Sequence, residues 1–405
     1  MHVEPYANLN CIHIQGIVVR LYLGQKTKRE NRSQQYQKEK VILPRETLLG
    51  KKEKKRQKRI SQILTDKSKP ALPLPTTYME ELEQLWGKNW GAQSEIGKLE
   101  EVMVHKESGQ LGSIPEEDLI WHAASGPVDG KLAIRQHERL IEVLKQEGVK
   151  VDFLDQAEGN PRGPYSGLHR LWGTRDPGLV INGGAIVGRM ALPMRRGEEV
   201  IWSKSVMKSG CPILYTVQGS GMFEGGNVVW LDQTHVCIGE SIRTNMEGIE
   251  QVSWILKMAG VEEIRVVSLA GYLTECRYPS GGWTHLDSVF MYIDDGIGLI
   301  VASAVPFSFL NYLQDKDINL IEVPMEEYPA CNVLTLEAGK IVSVAGYPET
   351  AKKLMKAGVD VIDVELSEIA SGGHRQGAER GKGGTWGGPH CATAPLVRRP
   401  GPRLE

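Results

Sequence analysis

Gln136-His137-Glu138-Arg139-Leu140-Ile141-Glu142-Val143-Leu144, running past Gly148 into Val149-Lys150-Val151-Asp152-Phe153, is the stretch that decides the fold. Its first part has apolar residues at helical spacing, and its second alternates as a strand does. Glycine between them supplies the left-handed stop that ends a helix. The same unit recurs. Ile249, Val252, Leu256 and Ala259 share a helical face, followed by Gly260 and Ile264-Arg265-Val266-Val267. Ala351, Leu354 and Met355 lead to Gly358 and Val359-Asp360-Val361-Ile362-Asp363-Val364. Weaker copies span residues 200–217 and 309–323. A hairpin-like pair precedes several helices, as in Val228-Val229-Trp230-Leu231 with His235-Val236-Cys237-Ile238.

Helix-to-strand junctions near residues 149, 213, 264, 318 and 359 define five strand-strand-helix-strand units. Such a period marks a repetitive architecture, and closure into a ring covers the face each unit would leave bare. The fold class expected is α/β, a five-fold pseudosymmetric propeller of ββαβ repeats. A Rossmann topology would lack the repeated hairpins and would require a Gly-rich phosphate loop, which is missing.

The chain has 405 residues, enough for two domains, and an ordinary 41% hydrophobic and 24% charged composition. Its net charge of −2 hides an asymmetry: residues 1–70 hold 17 Lys/Arg against 6 Asp/Glu. That basic, Gln/Lys-rich region, densest at residues 51–59, ends in Lys69-Pro70-Ala71-Leu72-Pro73-Leu74-Pro75 and offers little apolar surface to bury. Residues 1–93 are therefore read as a flexible basic extension, with a short helix expected at residues 78–86. Residues 94–405 are read as the catalytic domain. A solvated tail is the simpler reading of the basic run than a nucleic-acid arm.

The six cysteines are scattered with no Cys-x-x-Cys pair, which argues against a disulfide framework or structural zinc and suits a reducing compartment. The uncharged stretch at residues 296–313 contains Gly, Ser, Pro306 and Asn311 and reads as strand, turn and helix start rather than a membrane span. No secretory leader is evident. A cytoplasmic protein with no membrane partner is expected, and a homo-oligomer is open.

Four segments interrupt the repeats at equivalent strand or loop ends. They are Gly173-Thr174-Arg175-Asp176-Pro177, Phe223-Glu224-Gly225-Gly226-Asn227, His285-Leu286-Asp287-Ser288-Val289-Phe290, and Gly387-Gly388-Pro389-His390-Cys391-Ala392-Thr393. Among their side chains are a thiol, the His285 imidazole and three carboxylates. Carboxylates suit the fixed donor fork of a planar guanidinium. Its central carbon accepts a thiolate, which a neighbouring imidazolium and the bound cation both favour. Histidine can then serve the leaving amine and the incoming water. Taken singly, each segment has a plainer reading: a glycine turn, a strand with His285 and Asp287 on one face, a surface ion pair, or a buried thiol.

In order and spacing, the four segments resemble the signature of arginine deiminases and their amidinotransferase relatives, the pentein superfamily. Ser94-Glu95-Ile96-Gly97-Lys98-Leu99-Glu100-Glu101-Val102-Met103-Val104-His105 is similar to such proteins' first strand. The resemblance runs from residue 94 to the C-terminus, and its Glu-Gly-Gly and His-Leu-Asp segments are closer to deiminases than to dimethylarginine hydrolases. It implies a five-bladed α/β propeller and no metal or organic cofactor. By the same resemblance Cys391 is the nucleophile, forming a covalent amidino intermediate, and His285 is general acid and then base. Asp176, Glu224 and Asp287 grip the guanidinium, and Arg195 and Arg243 hold a substrate carboxylate. Trp386 and Arg170 replace an arginine and an asparagine of deiminases, which points away from free L-arginine. Residues 374–386, polar and Gly-rich, look inserted.

The expected activity is hydrolysis of arginine or a related guanidino compound to a ureido product and ammonia. Amidino transfer to an amine is the enzymatic alternative. A non-catalytic binding module is the other, though a scaffold has no need of a thiol facing three acids.

Overall fold

The computed structural model describes residues 12–14, 17–19, 51–64 and 77–404, except 120–121, 123–125, 155–168, 273–280 and 371–386. The chain divides into two units, Met1–Pro73 and Leu74–Glu405. In the first, Ile12–Ile14 pairs antiparallel with Ile17–Val19, and the basic run lies on the helix Lys51–Leu64. Most of the extension expected to be flexible lies outside the described residues, as does the inserted stretch at 374–386.

The second unit begins at Leu74, ahead of the boundary expected at residue 94. Thr77 and Glu80 form a reciprocal capping box on the helix Tyr78–Trp86, and Gly87 ends it at φ 77°. Leu82 and Trp90, both 1% exposed, join an apolar cluster with Trp202, Val206 and Leu396. Burial of these two side chains ties residues 77–93 to the larger unit despite their polar composition.

Among the described residues, five three-stranded sheets follow one plan. Gly178–Ile181 pairs antiparallel with Gly184–Val187, which pairs parallel with Ile213–Thr216 across the helix Glu198–Lys208. A parallel neighbour needs such a crossover, whereas the antiparallel pair needs only a turn. Val228–Trp230, His235–Glu240 and Glu263–Ser268 repeat the plan around Met246–Met258. So do Phe290–Asp294, Ile297–Ile300 and Asn319–Glu322 around Phe307–Asp315. Leu334–Glu337, Lys340–Val344 and Asp360–Val364 do the same around Pro348–Lys356.

The remaining sheet is assembled from both ends of the unit. Leu99–Val104 pairs parallel with Lys150–Phe153 across Gly130–Gln146, but its antiparallel partner is Ala394–Arg398, with Ala394 opposite Met103. All five expected junctions coincide with the start of a third strand to within a residue.

One expectation needs correcting. Glycine ends four of the helices in the left-handed region, at Gly148, Gly210, Gly260 and Gly358, but the fourth unit uses Asp317 at φ 55°. Aspartate tolerates that conformation better than most residues because its short side chain bonds locally. The uncharged stretch at 296–313 forms the strand Ile297–Ile300, a short turn and the start of Phe307–Asp315. Among the described residues no helix is long and apolar enough to cross a membrane. Cys211, Cys237 and Cys331 are free and buried, and burial raises each thiol's pKa. They are core residues, as expected. Cys11 and Cys276 lie outside the described set.

Candidate active site

Each sheet contributes to the site from the residues just ahead of its first strand. Asp176 precedes Gly178–Ile181, Glu224 precedes Val228–Trp230 and Asp287 precedes Phe290–Asp294. Cys391 precedes Ala394–Arg398, and Asn332 stands at the matching place before Leu334–Glu337. The repeat therefore delivers five polar side chains, one per sheet.

Two glycines make the approach possible. At Gly226 a Cβ would lie 2.8 Å from both Asp176 Oδ1 and His285 Nδ1. At Gly387, φ 106°, it would lie 2.5 Å from the Cys391 sulfur. Only a residue without a side chain fits either place. Replacing Gly387 by alanine is expected to displace the sulfur and lower kcat by about 100-fold, with KM changed less, because misplacement of about 1 Å carries that cost. Steady-state kinetics on the folded variant checks it.

Donor atoms of Asp176, His285 and Cys391 all lie within 4.8 Å of one another, and all three residues are buried. His285 Nε2 is 2.7 Å from Glu224 Oε2, and its Nδ1 is 3.6 Å from Asp176 Oδ1. That Asp176 oxygen is buried and has no hydrogen-bond partner among the described residues. Cys391 Sγ donates to Asp287 Oδ2 at 3.3 Å. A planar cation beside the sulfur would have the carboxylates of Asp176 and Asp287 close to the thiol and the imidazole.

His285 and Asp287 do not share a strand face, as alternation would have it. Leu286–Ser288 forms a single tight turn with His285 at its start. The turn sends the imidazole toward Glu224 and the carboxylate toward the sulfur. Glu224 Oε2 is engaged by His285, and its Oε1 accepts from the Ala191 N–H at 2.9 Å. Glu224 therefore holds the histidine.

Arg195 is 1% exposed, and its fork is filled from inside the protein. It donates to Asp176 Oδ2 at 2.6 Å, to Glu198 through Nε and NH2, and to the Gly173 carbonyl. Such a residue fixes Asp176, which the expected contact with a substrate carboxylate does not describe. Arg243 is buried with its NH1 3.9 Å from Glu224 Oε1. Arg170 is also buried and donates to the His122 carbonyl. Trp386 lies outside the described residues.

The charges follow from this packing. Burial opposes ionisation of Glu224, but Arg243, the His285 hydrogen bond and Arg195 outweigh it and bring its pKa to about 2. Burial likewise works against the imidazolium of His285, yet Asp176 and Glu224 raise its pKa. The Cys391 thiol is pushed well up, by burial first and then by Asp287 and Asp176.

A carboxyl whose folded pKa is depressed adds stability above its unfolded value and loses it as pH falls. For Glu224 that window runs from 4.5 down to about 2. Denaturant midpoints are expected to fall steeply through this window in the wild type and more gently in Glu224→Gln.

Three supporting residues were missed by sequence reading. Asn332 donates to Cys391 Sγ at 3.2 Å and, through Oδ1, accepts from the N–H groups of Gly388 and Cys391. His390 and Glu95 sit beneath Asp287. Asn332 could have been found from its position ahead of a first strand. His390 and Glu95 lay inside quoted segments, but their direction was not readable.

Residues 123–378 match the family model described as "N,N dimethylarginine dimethylhydrolase, eukaryotic". A 2-nitroimidazole nitrohydrolase from Mycobacterium sp. is 28% identical over 80% of this chain and 85% of its own length. The N(G),N(G)-dimethylarginine dimethylaminohydrolase of Pseudomonas aeruginosa is 29% identical over 60% of this chain and 85% of its own. The solved structure of that Pseudomonas enzyme, a cysteine-to-serine variant complexed with citrulline, superposes with a TM-score of 0.52 at 26% identity. It covers 67% of this chain and 94% of that one. With the family model spanning more than half of its length, the chain belongs to the dimethylarginine dimethylhydrolase family.

Proposed function

We propose that the protein hydrolyses the guanidinium group of arginine or a substituted arginine, with Cys391 as nucleophile and His285 as acid and base. The observation that carries this is the convergence of thiol, imidazole and an Asp176 carboxylate oxygen within 4.8 Å, with Asp176 Oδ1 lacking a hydrogen-bond partner among the described residues. Two oxygens, from Asp176 and Asp287, flank the place where a cation would sit.

Burial, and then the two carboxylates beside it, favour the protonated form of the resting thiol. A guanidinium bound between them cancels those charges and lowers the thiol's pKa, so its proton is released to solvent as the thiolate forms, to be returned when the sulfur departs at the end of the cycle. The thiolate adds to the central carbon. His285, held as imidazolium by Asp176 and Glu224, gives its proton to the departing nitrogen, and the amine leaves as the carbon–nitrogen bond breaks. An amidino group then remains on sulfur. Neutral His285 takes a proton from water, the hydroxide adds to the same carbon, and the sulfur departs to leave a ureido product. Asn332, donating to the sulfur, supports it when it carries charge.

The family favours a methylated guanidinium, which would release an alkylamine, where the Glu-Gly-Gly and His-Leu-Asp segments pointed to ammonia. Similarity to a nitroimidazole hydrolase suggests a neutral ring as an alternative. The buried Asp176 Oδ1, with no hydrogen-bond partner among the described residues, suits a charged N–H donor better than an uncharged ring, so the cation is preferred. We also read the five sheets as blades of one closed propeller. In support, Ala394–Arg398 lies against Gly178–Ile181, and Leu179 and Ile181 share an apolar cluster with Val228 and Trp230. Val228–Trp230 touches Phe290–Asp294, which touches Leu334–Glu337, which touches Leu99–Val104.

The test is to incubate the protein with arginine, dimethylarginine, agmatine and guanidinoacetate, and to assay ammonia, alkylamine and ureido product. Added glycine or ornithine would divert the amidino group if the enzyme were a transferase. Turnover of no guanidine, with turnover of a nitroimidazole, would overturn the proposal.

A further inference from the structure

Asp287, the acid nearest the sulfur, is itself held from behind. His390 Nδ1 is 2.8 Å from Asp287 Oδ2, the same oxygen that accepts from Cys391 Sγ. The other ring nitrogen, Nε2, is 3.4 Å from Glu95 Oε2. Glu95, His390 and Asp287 are at most 1% exposed, so the chain is shut off from bulk solvent. The ends are anchored as well: Glu95 Oε1 accepts from the Trp230 N–H, and the His390 carbonyl accepts from Arg175 Nε.

We propose that His390 is a positioning residue: by bridging Glu95 and Asp287 it keeps the Asp287 carboxylate ionised and aimed at both the thiol and the incoming guanidinium. This rests on the hydrolase reading above. A buried carboxylate without a donor takes up a proton, and a neutral acid neither binds a cation well nor restrains a thiol. Other groups facing Asp287 are His285 and Arg175, together with the Ser288 hydroxyl at 3.3 Å. Those facing Glu95 are Arg175 and Arg398. Arg175 and Arg398 are fixed charges at neutral pH, leaving His390 as the hydrogen-bond donor that reaches both acids. Burial opposes ionisation of Asp287, and the His390 hydrogen bond is the largest influence restoring it.

Two variants of the full chain separate positioning from packing. Asparagine can present an amide N–H where Nδ1 stands; glutamine reaches instead toward Glu95. His390→Gln is expected to raise KM by about tenfold to a hundredfold, the loss of one charge-assisted hydrogen bond, with kcat changed less than KM. Without substrate, its Cys391 is expected to react with iodoacetamide along a pH profile displaced to lower pH, because Asp287 has become neutral. His390→Asn is expected to keep both properties near those of the wild type. Equal behaviour of the two variants, or a thiol profile that stays in place in His390→Gln, would overturn the proposal. The wild type offers a check that needs no variant: nitrogen NMR of His390 is expected to find the proton of the Asp287 hydrogen bond on Nδ1, and a bare Nδ1 would equally overturn it. Alkylation and NMR require no turnover, so they decide the role of His390 even if the substrate assay fails.

Discussion

Replacing Cys391 by alanine is expected to lower turnover of the guanidino substrate by about 10⁴-fold or more while leaving its affinity within a few-fold of the wild type. In the proposed mechanism sulfur forms the bond to carbon, and no neighbour can take its place: Asn332 is an amide, and Asp287 and Asp176 are needed as anions beside the cation. Binding depends on those two acids, which the substitution leaves intact. It also frees Asp287 Oδ2 from the thiol hydrogen bond at 3.3 Å, so the guanidinium gains an acceptor. Calorimetric titration with the compound that the wild type turns over, beside a single-turnover assay, measures both halves. A variant that retained a tenth of the activity would remove the sulfur from the reaction.

Replacing His285 by glutamine is expected to lower kcat by about 10²- to 10⁴-fold, the usual contribution of a general acid–base group. The second step should suffer visibly. Once the amidino group is on sulfur, water must lose a proton to continue, and the neutral imidazole is the base placed to accept it. Intact-mass measurement after mixing should therefore find the adduct persisting in His285→Gln where the wild type clears it. The pH dependence has a definite sign. Asp176 and Glu224 raise the pKa of His285, so the acid form needed for the leaving nitrogen persists to higher pH than a free imidazole would allow. Removing Glu224's charge should bring the alkaline fall in rate to lower pH.

Much of the fold was readable because its signals are local. Helical spacing in residues 136–144 and alternation in 149–153 each lie within one element, and all five junctions were located from such runs. Closure of the first sheet by Ala394–Arg398 was not readable. That strand has the same apolar character as many others, and its partner lies at the far end of the unit. Start of the compact unit was misread for a related reason: Leu82 and Trp90 are two large apolar side chains in a polar neighbourhood, and composition averages them away.

In the site, residue types were legible and directions were not. Cys391, His285, Asp176 and Asp287 converge as their chemistry suggested. Glu224, in the same kind of glycine turn, faces the histidine, and no local pattern distinguishes an acid that meets a ligand from one that orients a neighbour. Arg195 reads as an ordinary surface arginine until Asp176 and Glu198 are seen to enclose it. Asn332 escaped because amides are common at strand entrances. Its significance lies in being the member contributed by one sheet to a set of five.

The most direct test is to quench the enzyme during turnover of a guanidino compound and map the modified peptide by mass spectrometry. The account predicts an amidino group on Cys391, cleared in the wild type and retained in His285→Gln. Turnover with an unmodified Cys391 at every quench time in both proteins, or an adduct on another residue, would contradict it.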